Sequence, residues 1–211
     1  MTIRDDFLAT ARSAAALLRD PAVAAGWNTP SALPEFGVAG LAGHLAFQVL
    51  AVPEFLAGPV PTEETIGILE HYNRAQWIDA EPDAEINRKI RDGGHQLAAD
   101  GPPNLADRVD DVIAGLAETL PKEPARPVRI SLWGPWSLML DDLLVTRMME
   151  LAVHSDDLAV SVGIPTPALP EQAVETVVDL LSRLAVRRHG PTAVLRALTR
   201  AERAPTTITA F

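Results

Sequence analysis

The stretch that decides the fold is RMMELAVHSDDLA, residues 147–159, inside a longer apolar-periodic segment at about 138–162. Leucines recur through this segment at the spacing of one helical face. Ser137 is a candidate N-cap, and Gly163 with Pro165 ends the helix. One arc of this helix also carries four ionisable residues: Arg147, Glu150, His154 and Asp157. The pattern predicts a long helix with a polar stripe on its apolar face.

Such a stripe needs a physical reason, because burying charged groups costs several kcal/mol unless they are paired or bind a metal. Glu150 and His154 are four residues apart, so both reach one point above the helix and suit a divalent metal. Asp157 is placed to orient one ligand from behind. The alternative is a ladder of ion pairs, Arg147 with Glu150 and His154 with Asp157. Spacing alone favours the ladder.

A third candidate ligand lies on another predicted helix. His44 is the only ionisable side chain in VAGLAGHLAFQVL, residues 38–50. A single histidine in such a helix is more often a hydrogen-bonded core residue. If the fold sets His44 opposite Glu150 and His154, two imidazoles and a carboxylate form a three-ligand site. Such a site leaves metal positions open to water or substrate, the pattern of catalytic centres.

The other histidines and the paired tryptophans favour structural interpretations. His71 has polar neighbours typical of a solvated helix face, His95 follows a glycine pair at a predicted loop, and His189 precedes Gly-Pro at a helix end. Trp133 and Trp136 bracket Gly-Pro before the long helix. They either line the mouth of a pocket or plug the end of the bundle, and we favour the plug.

Proline and glycine divide the rest of the chain into helix-length blocks. Helices are predicted over residues 3–19, 38–57, 62–78, 83–99, 104–120, 138–162 and 170–188. Thr62 is a candidate cap, and the glycine pair 93–94 is expected to break its helix. Short β-like pieces occur at 128–133 and in TTITAF, 206–211.

The expected fold is therefore mainly α. An antiparallel helix bundle is the natural way for such helices to bury their apolar stripes. We place the bundle in residues 1–165 and a short C-terminal extension with minor β content in residues 166–211.

Composition excludes several classes of protein. The 211 residues contain no cysteine, which rules out disulfide frameworks, iron–sulfur clusters and a cysteine nucleophile. A net charge of −10 argues against nucleic acid and anionic membranes as partners. No targeting segment or membrane-length apolar run is visible, so we expect a cytoplasmic protein. Apolar faces on the outer helices would permit a homodimer.

Two separated motifs resemble one family. WNTPSALPEFGVAGLAGHLA, residues 27–46, is similar to the entry to the second helix in the mycothiol-dependent maleylpyruvate isomerases, which belong to the DinB-like metal-binding bundles. The Arg, Glu, His and Asp-Leu spacing of residues 147–159 fits the same family, and RALTRAER, 196–203, is similar to a late segment of it.

The resemblance implies a DinB-like antiparallel four-helix bundle and a divalent metal, usually zinc, on His44, Glu150 and His154. It also implies mycothiol as cofactor or co-substrate and an isomerase or S-transferase reaction on a small electrophile. Arg147 would hold a substrate carboxylate, stabilise developing negative charge, or simply pair with Glu150. The rival interpretations are a non-catalytic metal-binding bundle, closed by a fourth ligand such as Asp157, and a thiol-independent metal hydrolase.

The sequence also departs from the family's pattern. Gly40 stands where an aspartate often precedes the metal-binding histidine, and Phe36 replaces a frequent tryptophan. The C-terminal part is short for a domain that would supply a substrate-binding arginine. Arg196 and Arg200 are the nearest substitutes.

Overall fold

A computed structural model describes residues 2–81 and 83–211, and the fold is mainly α-helical, as predicted. The helices are α1 (Ile3–Leu18), α2 (Pro21–Ala25), α3 (Val38–Leu50), α4 (Val52–Ala57), α5 (Ile68–Arg74), α6 (Glu85–Leu97), α7 (Pro102–Thr119), α8 (Leu140–Val162), α9 (Glu171–His189) and α10 (Pro191–Thr199). Two short strands, β1 (Pro127–Val128) and β2 (Leu138–Met139), pair antiparallel just before α8.

Four helices form the central bundle. α1 packs against α7 and α8, and α3 packs against the same two helices, so the four close a ring around the apolar core. The helix predicted at 104–120 buries the expected face, with Leu105, Val109 and Leu116 almost fully inside. α6 lies against the outside of α3, and α9 against α8 and α1.

Side-chain contacts give the relative directions of α1 and its neighbours. Arg4 in the first turn of α1 binds Asp141 in the first turn of α8, at 3.0 Å between Nε and Oδ1. These two helices therefore start at the same end of the bundle. Arg19, which follows α1, binds Asp107 near the start of α7 at 2.7 Å. α1 and α7 are therefore antiparallel.

The same reasoning orients α3. The His44 ring packs against the ring of His154, and Gln48, one turn later on α3, accepts a hydrogen bond from Arg147, two turns earlier on α8. α3 and α8 are therefore antiparallel, whereas α3 and α7 run parallel. Parallel neighbours need a long crossover, which is the segment that carries α4, α5 and α6.

The contact between α3 and α6 is made by backbone. A Cβ atom on Gly43 would lie 1.9 Å from the carbonyl oxygen of Gly94, and a Cβ on Gly94 would lie 2.4 Å from that of Gly40. The predicted helix break at 93–94 is therefore wrong: the glycines lie inside α6, where they admit this approach. His95 is accordingly helical, and its ring occupies the space beside Gly40.

Within the crossover, the predicted helix at 62–78 is wrong in its extent, since only Ile68–Arg74 is helical. The residues before this helix are extended because their backbone pairs with residue 137. The Ser137 N–H donates to the Glu64 carbonyl, and the Ile66 N–H donates to the Ser137 carbonyl. Ser137 and Thr62 therefore cap no helix, and α8 begins at Leu140.

The C-terminal TTITAF forms no strand, so the minor β content lies before α8 and not in the extension. The tail is instead held by a 2.8 Å hydrogen bond from His189 Nε2 to the Thr209 carbonyl. His189 ends α9, as predicted.

One stretch passes a length and hydropathy test for a membrane span. Val38–Ala57, which contains α3 and α4, has a mean hydropathy of 1.3. In the structure 61% of this stretch is buried, because α3 packs against α6, α7 and α8. The apolar side chains of this stretch thus contribute to the core of the bundle.

The α3–α6 contact generates a stability prediction. Gly43→Ala should lower the free energy of unfolding by about 2 kcal/mol, because the new methyl group forces the two backbones apart. Gly115→Ala on α7 is the matched control: its Cβ meets nothing within 4 Å, and it should raise stability by about 0.5–1 kcal/mol. Urea unfolding monitored by circular dichroism measures both; equal stability of the two variants contradicts the proposed contact.

Candidate metal centre and adjoining cavity

Three of the predicted site residues come together between α3 and α8. The Oε2 atom of Glu150 lies 3.4 Å from Nε2 of His44 and 3.2 Å from Nε2 of His154. One ligand atom from each residue lies within 4.8 Å of the other two. Two ligands of a tetrahedral metal at about 2.0–2.1 Å are about 3.4 Å apart, so the two distances from Glu150 fit a divalent ion.

Asp157 contacts the other nitrogen of His154. Its Oδ2 lies 2.9 Å from Nδ1, on the side of the ring away from Glu150. Burial lowers the pKa of His154, but the hydrogen bonds to Asp157 and Glu150 outweigh it and raise the pKa to about 9. Asp157 thus orients the ring and leaves Nε2 to face the centre, an arrangement common for metal-binding histidines.

The other two groups of the centre have the charge that metal binding requires. Burial lowers the pKa of His44, so its imidazole is neutral. Burial raises the pKa of Glu150, but hydrogen bonds from His154 and His44 reverse the effect and hold it well below its usual range. An ionised carboxylate and a neutral imidazole are both competent ligands.

Gln48 was not predicted, although it lies one turn after His44 on the same face. Its amide nitrogen donates to the His44 carbonyl at 2.9 Å and lies 3.4 Å from His44 Nε2. Its amide oxygen accepts a hydrogen bond from Arg147. Gln48 therefore connects the arginine to the histidine. The spacing of four residues between His44 and Gln48 is the sequence signal that could have identified Gln48 as part of the site.

Arg147 is buried, with 6% of its surface exposed. Nε donates to the Thr146 hydroxyl at 3.1 Å, and the guanidinium lies over the Trp133 ring, 4.9 Å from its centroid. Among the described residues no carboxylate lies within ion-pair distance of it. Of the two ion pairs in the alternative prediction, His154 with Asp157 is present, and Arg147 with Glu150 is not.

The prediction that His71 lies on a solvated helix face is wrong, since the residue is 2% exposed. α5 turns it inward, where its ring lies 4.2 Å from that of Trp133. Its Nδ1 accepts a 3.2 Å hydrogen bond from the indole N–H of Trp136. Burial lowers the pKa of His71 to about 4, so the ring is neutral at pH 7 and carries its proton on Nε2.

Trp136 is a buried plug, as we favoured, but Trp133 lines a cavity. This cavity of about 260 Å³ opens beside the metal centre. Its polar lining comprises His44, Gln48, His71, Tyr72, Gln76, Arg147, Glu150 and His154. Much of the remaining wall is apolar, including Trp77, Ile86, Ile90, Leu132, Val153 and Phe211. Arg196 and Arg200 are exposed on and after α10 and do not line it.

The buried His71 predicts an acid sensitivity. The unfolded chain takes up a proton near pH 6.5 and the folded protein only near pH 4, so stability is lost as the pH falls between these values. The loss attributable to His71 should reach about 3 kcal/mol.

His71→Gln tests this because the amide oxygen still accepts from Trp136 but does not titrate. Urea unfolding between pH 7.5 and 4 should give a shallower decline for the variant than for the wild type. Parallel curves would show that His71 is not the group responsible.

The chain matches, over residues 7–159, the family described as the mycothiol maleylpyruvate isomerase N-terminal domain. The matched part extends from α1 nearly to the end of α8 and contains His44, Glu150 and His154. Neither a curated protein nor a solved structure is significantly similar to the chain. Since the match covers well over half of the sequence, the chain belongs to the mycothiol maleylpyruvate isomerase N-terminal domain family.

Proposed function

We propose that this protein is a divalent-metal-dependent enzyme that uses a low-molecular-weight thiol, mycothiol, to isomerise or S-conjugate a small electrophile. The observation that carries the proposal is the convergence of His44, Glu150 and His154 beside a cavity. Membership of the family supports the thiol. Zinc is the metal we expect, because two imidazoles and one carboxylate are a usual zinc ligand set.

The proposed ligands are His44, Glu150 and His154, with Asp157 orienting His154. A divalent ion held there would supply Lewis acidity that favours the thiolate form of a coordinated thiol. The chain's own part is to hold the three donor atoms together beside the cavity. The absence of cysteine agrees with a thiol that comes from outside the chain.

We assign the catalytic role of anion binding to Arg147. A buried guanidinium without a carboxylate partner among the described residues is suited to a substrate carboxylate or to negative charge that develops during the reaction. Gln48 and Trp133 fix its position from two sides. The arginine is thereby held ready before the substrate enters.

Two reactions follow from the same attack of a thiolate on an electrophilic carbon. In an isomerase, the new carbon–sulfur bond turns a cis double bond into a single bond that rotates, and expulsion of the thiolate restores the double bond as trans. In an S-transferase the thiol stays in the product. The first leaves the thiol concentration unchanged and the second consumes one thiol per turnover.

An open centre is favoured over a purely structural one by the position of Asp157. This residue contacts His154 Nδ1 and so does not supply a fourth ligand atom at the point shared by the other three. Structural metal sites are closed by four protein ligands, whereas catalytic sites keep a position free. The adjoining cavity supplies access to that position.

We further propose a cytoplasmic protein whose metal-binding unit is residues 1–165, with residues 166–211 as an extension packed on it. The contacts of α9 with α8 and α1 support this division. The net charge of −10 supports small molecules as partners, with neither nucleic acid nor membrane involved. Apolar side chains exposed on the outer helices, such as Val174 and Val178 of α9, would permit a homodimer.

The metal assignment predicts a loss of bound metal on ligand removal. The wild type should purify with about one equivalent of divalent metal, measured by inductively coupled plasma mass spectrometry. His44→Ala and His154→Ala should lose it, because two protein ligands hold a divalent ion poorly. His189→Ala, at the far end of α9, is the matched control and should keep it. Unchanged metal in both ligand variants would overturn the assignment.

The thiol proposal predicts thiol-dependent turnover. Maleylpyruvate and chlorodinitrobenzene should react only when mycothiol is present, and chelation should abolish the reaction. Arg147→Gln should lower kcat/KM for maleylpyruvate by at least about tenfold because a charged hydrogen bond to the carboxylate is lost. Turnover by hydrolysis without any thiol would instead establish the metal hydrolase, and metal binding without any turnover the non-catalytic bundle.

A further inference from the structure

A second cavity adjoins the one beside the candidate metal centre. It has a volume of about 250 Å³, and its walls come from α5, the last turns of α9 and the C-terminal tail. We call the first the site cavity and the second the tail cavity. Three residues line both of them: Tyr72, Ala75 and Phe211. The two cavities therefore lie next to each other, and these three residues form the partition between them.

Phe211 supplies the bulky part of this partition that is not fixed by secondary structure. Ala75 carries a single methyl group and blocks little space. Tyr72 belongs to α5 and is 5% exposed, so it is part of the packed core. Phe211 is 36% exposed and lies in a tail that has neither helix nor strand. The separation of the two cavities thus depends on where the Phe211 ring lies.

Two aromatic neighbours hold this ring. Its centroid lies 5.1 Å from that of Trp77 and 5.6 Å from that of Tyr72. These distances are within the range of favourable aromatic pairs. The ring of Phe211 is therefore part of an aromatic cluster with the two residues.

The tail itself has one further attachment, two residues before the ring. The Thr209 carbonyl accepts the hydrogen bond from His189 at the end of α9. Within the described chain, no backbone–backbone hydrogen bond involves residues 205–211. The position of the ring is thus set by side-chain contacts, and a substitution of Phe211 changes the partition without removing any backbone pairing.

The ring also lies on a different wall from the polar groups of the site cavity. Several of those groups project from α3 and α8: His44, Gln48, Arg147, Glu150 and His154. The wall also contains Ile86 and Ile90 of α6, which stabilise an apolar body by removing it from water. Where such a body reaches the partition, the Phe211 ring stops it.

We propose that Phe211 limits the length of the apolar body that the site accepts, and that the tail cavity is the space which its ring closes off. The inference adds a specificity-determining residue to the proposed function and rests on that function for its meaning in catalysis. Its test needs binding alone, because both cavities and the ring between them belong to the chain.

Straight-chain alcohols from butanol to dodecanol measure the length limit without charge or turnover. Isothermal titration calorimetry on the protein as purified should show the dissociation constant falling about fourfold for each methylene that enters the site cavity. Once the chain is long enough to reach Phe211, the wild-type constant should stay level. A steady fall up to dodecanol in the wild type would overturn the proposal.

Two substitutions of Phe211 should move this limit in opposite directions. Phe211→Ala joins the two cavities, so the fourfold gain should continue for at least two further methylenes. Phe211→Trp enlarges the ring, so the constant should become level at least one methylene earlier. An unmoved limit in either variant would contradict the proposal, and the tryptophan variant keeps the test valid if the alanine variant fails to fold.

Two controls separate a length limit from a general loss of structure. Butanol should bind both Phe211 variants within twofold of the wild type, because it fills only part of the site cavity. Leu195→Ala removes a 61% exposed apolar side chain of α10 that lines neither cavity. It should keep the wild-type limit, and a shift as large as that of Phe211→Ala would overturn the assignment to Phe211.

A double variant tests where the longer chain goes. Ile78 lines the tail cavity and not the site cavity. In the Phe211→Ala background, Ile78→Trp should fill the tail cavity and return the limit to within one methylene of the wild-type value. If the longer limit persisted, the chain would be running into solvent and the proposal would be overturned.

Thiol-dependent turnover keeps this inference apart from the proposed function. A length limit that moves with Phe211, in a protein that shows no thiol-dependent turnover, would support the limit and sink the proposed function alone. Thiol-dependent turnover of maleylpyruvate by a protein whose alcohol binding shows no limit would leave the proposed function standing and overturn this inference.

Discussion

The rest of the site depends on one buried carboxylate held between two imidazoles. Glu150 of α8 lies within hydrogen-bond or ion-pair distance of His44 on the facing helix and of His154 one turn along its own. A buried charge of this kind is costly unless such partners satisfy it. Because the partners lie on both helices, the carboxylate fixes the register of α3 against α8. That register also sets Gln48 beside Arg147 and so places the guanidinium at the cavity.

The cavity owes its shape to an element outside the four-helix ring. α6 approaches α3 so closely that backbone meets backbone at Gly43 and Gly94. This approach brings Ile86 and Ile90 over the cavity and makes one wall of it. The loop before α8 and the short α5 supply the wall that carries Trp133 and His71. The proposed ligand set is thus built on the four-helix bundle, while the crossover and loops form the walls of the cavity beside it.

The main helices and the stripe of α8 could be predicted from sequence because a helical period is a local property. Glu150 and His154 could be predicted as candidate ligands for the same reason. His44 could be predicted because it is an ionisable residue among small apolar ones. The burial of His71 could not be predicted from sequence. Its polar neighbours Glu70 and Arg74 do form a surface ion pair, and only the packing of a seven-residue helix turns the histidine inward. The pairing of residue 137 with the crossover was equally hidden, since nothing local marks a long-range backbone contact.

The order of the helices has a consequence for how the protein matures. The donor atoms come from positions 44 and 150, and the crossover and α7 lie between them in the chain. During synthesis the first histidine therefore leaves the ribosome more than a hundred residues before its partners. At the proposed metal site, an ion would find no complete set of ligands until α8 has docked, so metal loading would be a late event of folding and would favour the finished native state over its precursors. Under this proposal, bound metal would mark the chains that have completed the bundle.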